Sequence, residues 1–165
     1  MKLTRTFTMT AAVAMVAGGA VVAPHAAEAQ EHNWSMATPW SGGHWLDDGA
    51  PGFADLVEEF TEGRVKLTVF PAGTLGSPLK VTETVQNGVA EVGHNWPAYD
   101  YGIDKTGVIF GGWAGGPTPE EFIMWLYNGD GAELWKEWRD ETSDVVAVPC
   151  GVLETEIFLH SHKPV

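Results

Sequence analysis

The sequence predicts an α/β fold, because strand and helix patterns alternate along the chain. The run from Val65 to Val69 alternates apolar and polar residues, the period of two that is typical of a strand with one buried face. A helix start at Ser77-Pro78 and a helix stop at Asn87-Gly88 follow, and Val89 to Gly93 then forms the next apolar strand. Strands joined by a helical crossover are usually parallel, so this unit predicts a parallel sheet with helices packed on it.

One strand and one helix precede this unit. The run from His32 to Thr38 predicts the first strand, which ends at Pro39-Trp40. The segment that follows, to Thr61, is predicted to be helical, with Pro51 starting or kinking it. Its apolar stripe has the spacing of one helix face: Phe53, Leu56, Val57 and Phe60.

After Tyr99 the elements are shorter. Gly107 to Phe110 is predicted to be a short strand, and two glycine pairs place Trp113 in a flexible loop. The run Thr118 to Glu121 has the pattern of a capping box, in which a Thr side chain and a Glu three residues later satisfy each other's backbone amides.

The last third of the chain predicts one more helix and two more strands. Leu134, Trp135 and Trp138 mark the helix. Val145 to Val148 and Glu156 to His160 are predicted to be strands. Helices and strands thus alternate to the end of the chain.

The amino terminus has the order of a secretory signal peptide. A basic start is followed by an uncharged, apolar stretch at 11–23 and by small residues around Ala27. We expect cleavage after Ala29, with Ala26 or Ala27 as alternative sites, so that 1–29 is the signal peptide. The apolar stretch is too short to span a membrane, and a retained anchor helix is the competing interpretation. The exported chain is then expected to be periplasmic, with no direct membrane insertion after cleavage.

The acidic composition restricts the partners. The net charge is −13, and such a surface repels nucleic acid phosphates and anionic lipid. An anionic ligand would therefore need a local cation, a metal ion or converging hydrogen-bond donors. Cys150, the only cysteine, cannot form an intramolecular disulfide, and we expect it to be a small buried side chain. Arg64 and Arg139 both have the sequence surroundings of surface residues.

Aromatic and polar residues in loops are the best candidates for a binding site. Asn95 and Trp96 directly follow the strand that ends at Gly93, where parallel sheets bind their ligands. Three more aromatic residues lie in loops beside Gly or Pro: Trp40, Tyr99 and Trp113. Each of them either lines a ligand site or simply packs, whereas the tryptophans in helices, such as Trp45, are expected to pack.

Enzymatic motifs are absent from the sequence. It contains no GxSxG elbow, no HExxH, no CxxC pair and no phosphate-binding glycine loop. We therefore expect a binding protein rather than an enzyme. A sugar-binding module that uses its tryptophans as a platform and an exported hydrolase remain the alternatives.

Three runs resemble the amino-terminal part of a known family. They are HNWSMATPW at 32–40, GRVKLTVFPAGTLGSP at 63–78 and QNGVAEVGHNWPAY at 86–99. Their combination is similar to the DctP-type solute-binding proteins of TRAP transporters. These are periplasmic proteins that capture organic acids, often 2-oxo or 2-hydroxy carboxylates and dicarboxylates, for a sodium-driven membrane partner. The resemblance implies that 30–165 forms the first lobe of a two-lobe, type II-like binding protein, apparently truncated because the second lobe is missing.

The resemblance also implies a ligand and an ion. The ligand would be a small organic acid, with the TRAP membrane subunits as partners. Many relatives carry a Gln six residues after a PCG cysteine, where it helps to bind a metal ion that bridges to the ligand carboxylate. Glu156 takes that position here, so it becomes the candidate ligand-binding and metal-ligating residue for a sodium or calcium ion. Its alternative role is simply to begin a strand. The family's carboxylate-binding arginine would lie beyond Val165.

Overall fold

The computed structural model describes residues 31–152 and 162–163 of the 165-residue chain. It confirms the α/β class: three parallel strands form a sheet in the order β2-β1-β3. The strands are β1 (His32–Ala37), β2 (Val65–Phe70) and β3 (Val92–Gly93). The predicted signal peptide and the strand predicted at 156–160 lie outside the described residues.

Helices connect and follow the strands. The five α-helices of the described residues are α1 (Ala50–Phe60), α2 (Val81–Gln86), α3 (Gly107–Gly111), α4 (Pro119–Asn128) and α5 (Gly131–Thr142). Shorter helical turns precede three of them: Trp45–Gly49, Pro78–Lys80 and Pro97–Gly102. None of the helices in this described part combines the length and apolar composition that a membrane span requires.

Helix α1 buries a different face from the one predicted. Ala50 and Ala54 are its buried residues, while Phe53 and Phe60 on the predicted apolar stripe are exposed. Alanines four residues apart share one face, and their small side chains let a helix backbone come close to the strand it covers. The start of the helix is as predicted, since Pro51 lies in its first turn.

Helix α2, the end of β1 and the segment before β3 form the first core cluster. Val81 packs there with Ala37 and Ala90. The predicted start at Pro78 and stop at Asn87-Gly88 are confirmed, although the Ser77 side chain makes no cap hydrogen bond. Gly93, the last residue of β3, lets the strand lie close to α2, because a Cβ at this position would lie 2.7 Å from Val81 Cγ1, which is closer than packed carbon atoms approach.

The strand predicted at Gly107 to Phe110 is wrong, because this run forms α3. Asp104 Oδ1 accepts a hydrogen bond from the Thr106 backbone amide at 2.8 Å, which starts a helical turn. An added Cβ at Gly107 would lie 2.5 Å from the Pro97 carbonyl oxygen, so the residue allows two backbone segments to touch. A short apolar run has no periodicity that distinguishes a helix from a strand.

The strand predicted at Val145 to Val148 is also absent. The run pairs with no strand among the described residues. The predicted alternation of exposure is present, since Val146 and Val148 are exposed while Ala147 packs against the second core cluster. The Ala147 carbonyl also accepts a hydrogen bond from Trp135 Nε1 at 3.0 Å.

The second core cluster is aromatic and joins α3 to α5. Phe110, Trp135 and Trp138 are buried there, with Trp125 of α4 against them. The capping box at the start of α4 is confirmed: Thr118 Oγ1 accepts from the Glu121 amide at 3.2 Å, and Glu121 Oε2 accepts from the Thr118 amide at 2.9 Å.

Candidate functional site

Aromatic side chains gather at the carboxyl ends of β1 and β3. Trp40 lies in the loop after β1, and Trp45 begins the helical turn beyond it. His94, Trp96 and Tyr99 lie in the segment after β3. We call these five residues the aromatic cluster. The order β2-β1-β3 makes the two strands neighbours, so the ends of parallel strands bring their loops together.

The rings of the aromatic cluster form a continuous row. Trp45 lies 5.8 Å from His94, His94 lies 5.8 Å from Trp40, and Trp40 lies 6.1 Å from Tyr99, measured between ring centroids. Tyr99 then meets Trp96 edge to face at 5.1 Å. All five side chains are half-buried. The cluster is thus a partly open aromatic wall of the kind that packs against small planar ligands.

The Trp96 side chain is fixed by contacts with α3 and Ala98. Its Nε1–H donates to the Gly111 carbonyl at 2.8 Å, so this donor is already used within the protein. A Cβ at Gly111 would lie 3.1 Å from the same nitrogen and 2.7 Å from the Ala98 Cβ. The glycine therefore leaves the space that lets the indole of Trp96 lie against α3, and only the ring surface of Trp96 remains for other contacts.

His94 is tied to the sheet and to Trp40. Its backbone N–H donates to the Ala37 carbonyl at 2.9 Å, which continues the pairing of β3 with β1. Trp40 Nε1–H donates to His94 Nδ1 at 3.3 Å. Burial lowers the pKa of His94 below its ordinary value of 6.5, so the ring is neutral at pH 7.

A buried polar network lies behind the aromatic cluster. It consists of Thr82, Asn95, Asp100 and Arg139, and we call it the Asp100 network. Asp100 Oδ2 accepts from Arg139 Nη1 at 2.6 Å and from Thr82 Oγ1 at 2.9 Å, while Asp100 Oδ1 accepts from Asn95 Nδ2 at 3.1 Å. Asp100 directly follows Tyr99, so the network anchors the segment that carries the cluster.

The prediction that Arg139 is a surface residue is wrong. Its side chain is 6% exposed, that of Asp100 is 1% exposed, and the two form a buried ion pair. The guanidinium carbon also lies 4.0 Å from the Trp138 ring centroid, a cation–π contact. Arg64 is exposed, as predicted. The sequence missed this pair because Asp100 and Arg139 are far apart in the chain and Arg139 stands among acidic residues.

The structure brings some of the predicted site residues together and leaves others apart. The structure brings Trp40, Trp96 and Tyr99 together, and it places the Asn95 amide in the Asp100 network, where Nδ2 donates and Oδ1 is buried without a partner. Trp113 is exposed in its loop and joins none of the ring contacts between described residues. Their roles in ligand binding stay predictions.

The metal prediction has no counterpart among the described residues. Glu156 lies outside them, and the described part of the chain contains no group of three His, Cys, Asp or Glu residues able to hold an ion. The prediction for Cys150 was wrong, because its side chain is exposed.

Two members of the aromatic cluster were not predicted. Trp45 was expected only to pack, and His94 was not singled out. The adjacency of His94 to the end of β3 was the available signal, since it precedes Asn95 in the same loop.

Comparison with known proteins identifies a family over the part of the chain that carries the cluster. Residues 36–110 match the DctP family, described as bacterial extracellular solute-binding protein, family 7. The match runs from β1 to α3 and therefore includes all five residues of the aromatic cluster.

A curated relative and two solved structures show the same likeness. The monocarboxylate 2-oxoacid-binding periplasmic protein of Nostoc sp. is 35% identical over 98 residues, which are 59% of this chain and 27% of that protein. A TRAP periplasmic solute-binding protein from Pseudoalteromonas atlantica, with bound sodium and pyruvate, matches at 28% identity and a TM-score of 0.64 over 68% of this chain and 35% of that chain. One from Colwellia psychrerythraea, with bound calcium and pyruvate, matches at 24% identity, a TM-score of 0.64 and the same coverage.

These matches cover only part of each relative. The chain spans about a quarter of the length of the curated relative and about a third of each solved structure. Its fold is that of part of a TRAP periplasmic solute-binding protein.

Proposed function

We propose that the chain is part of an extracytoplasmic subunit that captures a small organic acid for sodium-driven uptake. The proposal starts from the match of residues 36–110 to the DctP family. The observation that carries the proposal is the aromatic cluster, which lies inside the matched segment at the carboxyl ends of β1 and β3. Ligands of open parallel sheets bind at this edge.

A planar carboxylate can pack against the aromatic cluster. The tilted and edge-on rings from Trp45 to Trp96 offer apolar contact to a small acid. The curated relative is named for 2-oxoacids, and both solved relatives hold pyruvate. We therefore propose a 2-oxo or 2-hydroxy monocarboxylate as the ligand class.

The proposed site needs a second lobe. The net charge of −13 opposes an anion, and Arg139, which lies close behind the cluster, is already paired with Asp100. We propose that a carboxyl-terminal lobe supplies the cation, that 30–165 is the first lobe, and that the ligand is enclosed when a hinge closes the two. The proposed partners are the TRAP membrane subunits, and the proposed location is the periplasm, with 1–29 as the signal peptide.

An ion is a separate part of the proposal. Both solved relatives hold a sodium or calcium ion together with pyruvate. Glu156 would be the ion ligand of this chain, because a carboxylate suits a hard cation. The described residues form no donor set for an ion, so no step of binding is derived through one.

Calorimetry tests the proposal on two proteins: the 165-residue chain, and any longer product that the reading frame encodes beyond Val165 in genomic DNA. With pyruvate, lactate or succinate, and with calcium, sodium or a chelator, the longer protein should bind at least one acid. The 165-residue chain should bind none tighter than about millimolar, near −4 kcal/mol, since one lobe encloses only part of a small ligand.

A matched pair of variants locates the site in the longer protein. Trp96→Ala should weaken binding at least about tenfold, which is roughly 1.4 kcal/mol. Trp34→Phe is the control, because Trp34 lies within β1 and its ring contact is with His32. Unchanged affinity in Trp96→Ala at an unchanged melting temperature would reject Trp96, and a micromolar constant for the 165-residue chain would favour a single-lobe binding module.

A further inference from the structure

His94 has one ring nitrogen used by the protein and one left over. An indole N–H can only donate, so the contact from Trp40 Nε1 makes His94 Nδ1 an acceptor. In a neutral imidazole with Nδ1 as acceptor, the hydrogen lies on Nε2. The Trp40 contact therefore selects one tautomer and leaves Nε2–H as a free donor.

The free donor is accessible. Among the described residues, His94 Nε2 makes no hydrogen bond. It is also not one of the buried polar atoms without a partner, which in this part of the chain are Asn95 Oδ1 and Arg139 Nε. Nε2 is therefore not fully buried in this part of the chain, and its N–H is left for a partner from outside the described residues.

The surroundings hold the donor in place. The His94 backbone is hydrogen-bonded to Ala37 at the end of β1, and its ring lies 5.8 Å from both Trp40 and Trp45. Fixed orientation reduces the entropy that is lost when a ligand binds. Trp96 differs in this respect, because its own N–H is already used by Gly111.

We propose that His94 is a ligand-contacting residue whose Nε2–H donates a hydrogen bond to a carboxylate oxygen of the bound organic acid. The inference rests on the proposed function and adds to it the donor that this lobe supplies. The contact is with a neutral ring, since burial keeps the pKa of His94 low. Neutral donors such as this one bind an anion at a smaller desolvation cost than a buried cation.

Nitrogen-detected NMR on the 165-residue chain with labelled histidine tests the proposal directly. Without ligand, His94 should show a protonated Nε2 and an acceptor Nδ1 at neutral pH. Titration with pyruvate into the high millimolar range should shift the Nε2 signal saturably, whereas neutral pyruvamide should not. His32, at the opposite end of β1, is the internal control and should not move.

Two variants separate the donor from the ring. His94→Gln keeps an amide donor near the Nε2 position, and His94→Phe keeps a flat ring without a donor. We expect His94→Phe to weaken pyruvate binding about three- to tenfold, the effect of one neutral hydrogen bond, and His94→Gln to retain most of the affinity.

Failure of this inference is distinguishable from failure of the proposed function. If pyruvate shifts the indole signals of Trp40 and Trp45 but leaves His94 Nε2 unchanged, the site stands and the His94 contact is rejected. If no signal of the aromatic cluster moves in the longer protein either, both are rejected. If neutral pyruvamide, or glucose titrated in the same way, shifts the Nε2 signal as much as pyruvate does, a neutral ligand is favoured and the carboxylate contact is overturned.

Discussion

Removal of the Arg139 charge should destabilise the fold far more than removal of any exposed lysine. In Arg139→Met the apolar stem is largely kept, but the Asp100 carboxylate, which is 1% exposed, loses its charged partner. Thr82 and Asn95 remain as neutral donors to it. A buried charge left without its counter-ion costs about 3–5 kcal/mol, so we expect the free energy of unfolding to fall by that amount.

The same helix provides the matched control. Lys136 pairs with Asp140 one turn apart on α5, and both side chains are mostly exposed. Exposed pairs of this kind contribute about 0–1 kcal/mol, so Lys136→Met should change the free energy of unfolding by no more than that. The expected difference between the two variants therefore comes from burial rather than from the kind of charge.

Urea unfolding followed by tryptophan fluorescence measures the difference. Because small domains are stable by only about 5–15 kcal/mol, Arg139→Met will be close to unfolding. The double variant Arg139→Met with Asp100→Asn therefore provides a second measurement. Removing both charges should recover part of the loss, since no uncompensated carboxylate remains. A loss under about 1 kcal/mol in Arg139→Met, equal to that of Lys136→Met, would refute the buried ion pair.

The remaining predictions concern single sites. Thr118→Ala should lower the free energy of unfolding, measured by urea titration, by about 1 kcal/mol. Thr118→Ser should leave it unchanged, because the serine hydroxyl preserves the cap. The free energy of unfolding should fall as the pH drops below 6.5, because His94 then binds a proton in the unfolded chain but not in the folded one. The fall should end when the pH reaches the lowered pKa that His94 has in the folded chain. In His94→Gln this part of the pH dependence of the urea midpoint should be lost. Gly111→Ala should displace Trp96 and change its indole N–H signal in NMR spectra, because an added Cβ would meet the Ala98 backbone nitrogen at 2.8 Å; an unchanged signal would contradict the packing.

Local chemistry explains what could be predicted. The parallel strands β1 and β2, the capping box of α4 and the loop position of Trp96 each depend on residues adjacent in sequence. Periodicity and capping act within a few residues, so they are visible without a structure. The same is true of the class of the fold and of the position of Asn95 and Trp96 directly after β3.

Wrong predictions share a different cause. Gly107 of α3 lies against the Pro97 carbonyl, and α1, whose buried residues are Ala50 and Ala54, packs against β2. An apolar residue is favourable in any buried position, so composition cannot say which face a neighbouring element will cover.

By itself the sequence determined the α/β class, the elements from β1 to α2 and the position of Asn95 and Trp96 after β3, at the carboxyl edge of the sheet. Only the tertiary structure decided that Arg139 lies beneath this edge with Asp100, 39 positions earlier in the chain, and that His94 is turned by Trp40 so that one N–H stays free. The physical reason is range: propensity and periodicity act between near neighbours in the chain, whereas ion pairs and ring contacts depend on distances in space that folding alone creates.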